Sequence, residues 1–375
     1  MRFLHTADLH IGKRLFDVSM AGQQREILHQ IAGIAIEKQC DAVLIAGDIY
    51  DKPAPSAEAM GIFDTFVSEL ILGGVSVYAI SGNHDSGERI CYLSGLLEER
   101  GVVFQGKYEG SLFCKTLSDE YGELDLYMLP FVKPLTVRGY FPEVEMKTYD
   151  EALRAVLESI DMKDGRRKIL MSHQFVIGCS TCDSEEFAIG GLDGISSDAY
   201  DGFDYVALGH IHGPQKAGKD TVRYSGTPLK YSFSEAVHKK SVTIVDIKEK
   251  GQVCCQQILL KPLHDLRIVR GTMAELMEMP YSEDYVQIIL TDEEVAPDAR
   301  ISLSMVFPNM LKFSVENAKT MLEWEASDAT NAEDKNPLQM MEDFYCQQNN
   351  NVEMSERQRD VLIEILEGMR GESIR

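Results

Sequence analysis

The stretch Asp41-Ala-Val-Leu-Ile-Ala-Gly-Asp-Ile-Tyr-Asp51 decides the fold. Its first half is a short uninterrupted apolar run, the pattern of a strand buried on both faces, and it stops at Gly47-Asp48. A carboxylate at the end of such a strand is rigidly placed. Residues 2–7 and 75–80 repeat the pattern and run into Asp8-Leu-His10 and Gly82-Asn-His-Asp85. Between them, residues 21–39 carry Ile27, Ile31, Ile34 and Ala35 at helical spacing. Residues 56–72 do the same with Ala59, Ile62, Phe63, Phe66 and Leu70, behind Ser56 as N-cap. Strand, helix, strand, helix, strand implies parallel pairing through right-handed crossovers, and such sheets present ligands beyond their strands' carboxyl ends.

Farther along, residues 112–117 and 124–129 read as strands around a polar turn, and 149–160 as a helix. Residues 168–172 and 204–208 read as strands that deliver Ser172-His173 and Gly209-His-Ile-His212. Residues 222–225 and 241–248 alternate in the manner of antiparallel strands. A second sheet is therefore expected. The predicted fold class is α/β: a four-layer α/β/β/α sandwich spanning residues 1–263, with a small α/β domain at 264–320 and C-terminal helices. Within 264–320, residues 285–290 and 311–315 are predicted strands and 299–305 a helix. Residues 321–351 are polar and read as a linker with one embedded helix near 338–345. In 352–375, Ser355 and Gln358 form a capping-box pattern ahead of the stripe Val361, Leu362, Ile365, Leu366 and Met369, expected to dock onto a partner.

The formal net charge of −23 over 375 residues argues against a polyanionic partner until its distribution is considered. From His264 onward there are 23 acidic against 10 basic residues, a net of −13, so more than half of the excess lies in the last third. Lys13, Arg14, Arg89, Lys216 and Lys219 gather beside the His- and Asp-bearing segments, where they are candidates for phosphate contact. No run reaches the roughly 18 apolar residues of a membrane span, and the first residues lack a secretion signal, so a cytoplasmic location is expected. The eight cysteines make no small-protein disulfide framework, and Cys179-x-x-Cys182 has no second pair at matching distance.

The chemistry follows from ligand type. Two cations about 3.5–4 Å apart can clamp the attacking and departing oxygens of an in-line phosphoryl displacement. Such a pair needs a bridging carboxylate, and Asp48 is the natural candidate. Asp8 and His10 lie two apart in a stretch that can aim both at one ion, and His210 and His212 repeat the spacing. Asn83 adds a neutral oxygen and His173 an imidazole. This mixed oxygen and nitrogen set suits Mn, Fe or Zn better than Ca or Mg. A single buried His is usually a hydrogen-bonded core residue, and an Asp at a strand end is often a helix cap. Seven candidates in five segments make that reading improbable.

The order D-x-H, G-D, G-N-H-D, H and G-H-x-H over residues 1 to about 215 resembles the calcineurin-like metallophosphoesterases. Gly47-Asp-Ile-Tyr-Asp51, Ser172-His-Gln-Phe175, Asp183-Ser-Glu185, the run from Tyr224 to Glu235 and His238-Lys-Lys-Ser-Val242 narrow the resemblance to the SbcD nuclease family, out to about residue 316. The resemblance implies one metal held by Asp8, His10, Asp48 and His212 and another by Asp48, Asn83, His173 and His210, with manganese as the usual ion. It implies that His84 acts on the scissile phosphate and that Asp85 orients it. It further implies a DNA nuclease of exonuclease and endonuclease activity in repair, recombination and replication, paired as a homodimer within a heterotetramer with the SbcC ATPase. No P-loop is present, in keeping with an ATPase on another subunit. Gly87 stands where proline is expected and Thr227 where serine is common, neither expected to touch a ligand. Two alternatives stay open: a phosphatase or phosphodiesterase of small molecules, and a DNA-tethering scaffold.

Overall fold

Arg2–Thr6, Ala42–Ala46 and Ser76–Ile80 are strands because both their faces are covered. Four of five residues in the outer two, and all five in the middle one, are buried. The computed structural model describes residues 1–185, 193–317, 336–348 and 354–372. The first sheet runs, edge to edge, Val253–Leu259, Ser241–Ile247, Arg2–Thr6, Ala42–Ala46, Ser76–Ile80 and Val102–Gln105. Its last four strands are mutually parallel, and Ser241–Ile247 joins Arg2–Thr6 antiparallel. The second sheet runs Gln215–Ala217, Lys219–Tyr224, Tyr205–Gly209, Arg167–His173, Gly122–Leu129 and Phe113–Asp119. One core holds them together: Phe3, Leu44, Tyr78 and Val245 of the first sheet cluster with Leu126, Ile169, Met171 and Tyr205 of the second. His5 crosses between them, with Nδ1 2.8 Å from the Tyr205 hydroxyl and Nε2 3.1 Å from the Leu208 carbonyl. Helices Ala21–Glu37 and Ala57–Leu72 pack together, each burying its predicted stripe apart from Ile34. Ser56 caps the second by accepting from Ala59 N.

The antiparallel expectation holds for Ser241–Ile247 on both its edges and for the strand at 222–225 on one edge alone. Lys219–Tyr224 pairs antiparallel with Gln215–Ala217 but parallel with Tyr205–Gly209, and Ser241–Ile247 belongs to the first sheet. Periodicity reports which faces are buried and says nothing of which neighbour a strand takes. Val102–Gln105, too short for a clear pattern, forms the parallel edge of the first sheet.

A second unit begins at Ile268. Its three strands, in the order Leu266–Gly271, Tyr285–Leu290 and Met310–Val315, enclose a separate core of Val286, Ile288, Leu290, Leu303 and Phe307. Helices Pro337–Gln348 and Glu356–Glu372 complete the described chain. Ser355 and Gln358 form their reciprocal cap, and Arg359 pairs with Glu342. Most of the polar stretch at 321–351 lies outside the described residues, as do the side chains of Ile365 and Met369.

Candidate metal centre

The loops leaving Arg2–Thr6 and Ala42–Ala46 run side by side. Asp8 N donates to the Gly47 carbonyl at 3.0 Å, His10 N to that of Asp48 at 3.0 Å and Ile11 N to that of Ile49 at 2.9 Å. Asp8 (φ 53°), His10 (φ 44°), Asp48 (φ 49°) and His210 (φ 101°) all have left-handed backbones. Side-chain-bearing residues avoid that region, at a cost of order 1–3 kcal/mol each, and strain of this kind concentrates at functional sites. Glycines admit the close approaches. A Cβ on Gly47 would overlap His173, one on Gly82 would overlap Asp48, and one on Gly209 would overlap the Ala46 carbonyl.

The seven candidate ligands converge. Asp8, His10, Asp48, His173, His210 and His212 are buried, and Asn83 is half-buried. Asp8, His10 and His212 place donor atoms within 4.8 Å of one another, and so do Asp8, Asp48 and His173. Asp48 reaches both sides: its Oδ2 lies 3.3 Å from His173 Nε2 and 3.8 Å from His10 Nε2, while its Oδ1 accepts from His84 N at 2.9 Å. His173 Nδ1 donates to the Ala46 carbonyl at 2.8 Å, and its Nε2 lies 3.1 Å from Asn83 Oδ1. His210 Nδ1 approaches the same Asn83 oxygen at 3.0 Å. His10 and His212 oppose their Nε2 atoms at 3.2 Å, and His10 Nδ1 is buried without a hydrogen-bond partner. Acceptors turned on acceptors repel unless a proton or a metal cation lies among them.

Burial, and then the charge of Asp48, push the Asp8 carboxyl well above its ordinary range. Against burial, His173 holds Asp48 well below. Burial would lower His173, but Asp48 and Asp8 outweigh it and raise the imidazole to about 9. Burial keeps His10 well below its ordinary value and His210 at about 3, so both rings offer lone pairs. In the metal-stripped protein the proton on His173 compensates the carboxylates, and divalent ions compete with it. The donor set therefore fits divalent cations.

His84 differs from the ligands. Its ring is partly exposed, 4.0 Å from Asp48 Oδ2 through Nε2, and its Nδ1 lies 3.3 Å from the Asp51 carbonyl. Asp85 does not orient this ring. Its carboxylate accepts from the backbone N–H groups of Ile49, Tyr50 and Gly82 at 2.9–3.0 Å and so ties the loop carrying His84 to the loop after Asp48. Burial, then Asp48, raises Asp85 to about 6. Of the candidate DNA-binding residues, Lys13 is engaged with Asp51 at 2.8 Å, Arg14 is exposed and donates to the Asp17 carbonyl, and Arg89 is exposed.

A supporting layer went unread in the sequence. Gln24 donates to the His10 carbonyl at 2.7 Å and to the Tyr231 hydroxyl at 3.0 Å, and that hydroxyl donates to the Leu9 carbonyl at 2.7 Å. The available signal was a polar residue on the apolar stripe of its helix. Thr227 does meet a ligand, its N donating to the His212 carbonyl at 3.1 Å. Gly87 is required where it stands, because a Cβ there would strike the Gly106 carbonyl.

Opposed acceptors around a shared carboxylate, with a free imidazole at the rim, define a metal-dependent phosphoesterase. The calcineurin-like phosphoesterase family matches residues 1–214, and the family described as type 5 capsule protein repressor C-terminal domain matches residues 262–349. The SbcD component of the SbcCD nuclease from Staphylococcus epidermidis is 31% identical over 324 residues, covering 84% of this chain and 85% of that protein. A dimetal phosphatase structure from Danio rerio has a TM-score of 0.42 at 13% identity, over 70% of this chain and 98% of that one. TT1561 of Thermus thermophilus gives 0.39 at 13%, over 68% and 98%. The chain belongs to the calcineurin-like phosphoesterase family, in its SbcD branch. That family implies two divalent ions per chain.

Gly82→Ala should destabilise the protein by about 1–3 kcal/mol in urea unfolding, because the new methyl must displace Asp48. Divalent-ion affinity should rise with pH, since the metal-stripped protein holds the His173 proton below about 9 and must release it on binding. Titration with Mn at pH 7 and pH 8 should differ by about tenfold, tighter at the higher pH; equal affinities would show that His173 is already neutral.

Proposed function

We propose that this chain is a manganese-dependent DNA nuclease of the SbcD type, an exonuclease on duplex ends and an endonuclease on single strands and hairpins. The observation that carries this reading is the position of Asp48, within reach of histidines on both sides of the cluster, with His84 partly exposed beside it. Asp8, His10, Asp48 and His212 would hold one ion, and Asp48, Asn83, His173 and His210 the other. Bound there, the ions supply Lewis-acid polarisation of a phosphate oxygen and a water of lowered pKa. His84 is left to face the scissile phosphate, where an imidazole can stabilise charge or protonate the leaving oxygen. Asp85 holds the His84 loop against the Asp48 loop. Arg14 and Arg89 are exposed cations available to a phosphate backbone, and Lys13 precedes Arg14. Purified chain with end-labelled duplex and hairpin DNA should give cleavage with manganese and none without. Rapid hydrolysis of a nucleotide monoester with DNA left intact would favour the small-molecule alternative. His84→Gln should keep its metal and lose about 10²–10⁴-fold in cleavage rate; equal loss of metal would make His84 a ligand.

The partner in this reading is an SbcC-type ATPase, in a heterotetramer built on a homodimer of this chain, acting in the cytoplasm in DNA repair, recombination and replication. Residues 1–263 would form the nuclease domain, 264–320 a domain covering DNA and 321–351 a linker. Residues 352–375 would dock the ATPase, and Val361 on their helix is half exposed. Among the described residues no helix is long and apolar enough to cross a membrane. Deleting 352–375 should leave basal manganese-dependent cleavage and abolish capture of the ATPase in a pull-down; retained capture would move the docking site elsewhere.

A further inference from the structure

Behind His212, on the side away from His10, a half-buried Ser184 leads into a buried pair of charged groups that no metal ligand accounts for. Ser184 Oγ donates to Glu235 Oε1 at 2.6 Å and lies 2.7 Å from His212 Nδ1. A serine hydroxyl has one proton, and it goes to the carboxylate. Ser184 must then accept from His212, which places the imidazole proton on Nδ1 and turns the Nε2 lone pair toward His10 and the cluster. Glu235 is itself fully buried and is held from several directions. Lys240 forms an ion pair with its Oε2, Thr227 Oγ1 lies 3.3 Å from the same oxygen, and Tyr231 N donates to Oε1 at 3.1 Å. The Lys240 ammonium also donates to the His212 carbonyl at 2.9 Å, so it grips the backbone of the residue whose ring it steadies through Glu235. Glu185 completes the grip by accepting from His212 N at 2.6 Å.

We infer that Ser184, Glu235 and Lys240 are positioning residues that fix the tautomer and direction of His212, and so set the affinity of the ion His212 binds. The inference rests on the metal-site reading above. A lone buried Lys–Glu pair would be weak grounds for stability alone, because desolvation offsets most of its attraction. Its connection through a hydroxyl to a ligand nitrogen gives it a use, since outer partners of a metal-binding histidine orient the ring and raise its basicity.

The test is manganese titration of the full chain after chelator treatment. Ser184→Ala severs the relay and leaves the Glu235–Lys240 pair in place. It should weaken one of two manganese affinities about 10- to 100-fold, with the other unchanged. Ser184→Thr, which restores the hydroxyl, should recover most of the loss. In a His212→Ala background, Ser184→Ala should cost nothing further, because its effect runs through that ring. In chelator, Ser184→Ala should keep the parent's far-ultraviolet circular dichroism and unfold cooperatively at a somewhat lower temperature, because the buried Glu235 loses one donor. Equal manganese affinities in parent and Ser184→Ala, or full additivity with His212→Ala, would overturn the relay. A parent chain that binds no manganese would overturn the metal-site reading instead.

Discussion

The Asp48 carboxylate is the constraint on which the rest of the structure depends. It is buried within a few ångströms of His173, His10 and His84, and close enough to the second buried carboxylate, Asp8, to raise that group's pKa. Two such groups are costly out of water unless cations compensate them. Burial keeps the His10 and His210 rings neutral, whereas a proton on His173, or divalent ions in its place, can compensate the carboxylates. The left-handed residues and the three close-packed glycines are the backbone's means of crowding acceptors around one point.

Holding that geometry takes more than the ligands. Gln24 and Tyr231 clamp the loop that bears His10, and Ser184, Glu235 and Lys240 stand behind His212. Tyr231, Glu235 and Lys240 all come from the stretch after Tyr224, the same phrase whose wording narrows the family resemblance from phosphoesterases at large to SbcD. In the fold these three side chains bond to the Leu9 carbonyl, to Ser184 and to the His212 carbonyl. A segment that marks the SbcD branch by sequence thus also bonds to the loops that bear candidate ligands.

The net charge of −23 reads differently once the site is known. Lys13 is spent on Asp51, next to His10, and the buried Lys240 and Lys168 are spent on Glu235 and Asp164. Counting basic residues overstates the positive charge available to a polyanion, because Lys13 and Lys240 neutralise acids that the fold places beside His10 or buries, and Lys168 is itself buried. Arg14 and Arg89 remain exposed at the segments that carry the candidate ligands and His84.

Local signals determined much of this protein from sequence. Apolar runs ending in Asp or His marked the strands and the ends that carry the candidate ligands, the stripe and Ser56 cap marked the helix at Ala57–Leu72, and ligand chemistry named the seven residues that converge. Only the tertiary structure decided that Ser241–Ile247 crosses to the first sheet, that Asp85 holds a loop instead of a ring, and that Ser184, 28 residues from His212 along the chain, supplies its hydrogen bond. The reason is physical. Periodicity and residue type report how a segment meets water and which atoms it can offer. Strand neighbours and hydrogen-bond partners are set by contacts between segments distant in sequence, and those exist only once the sheets have packed.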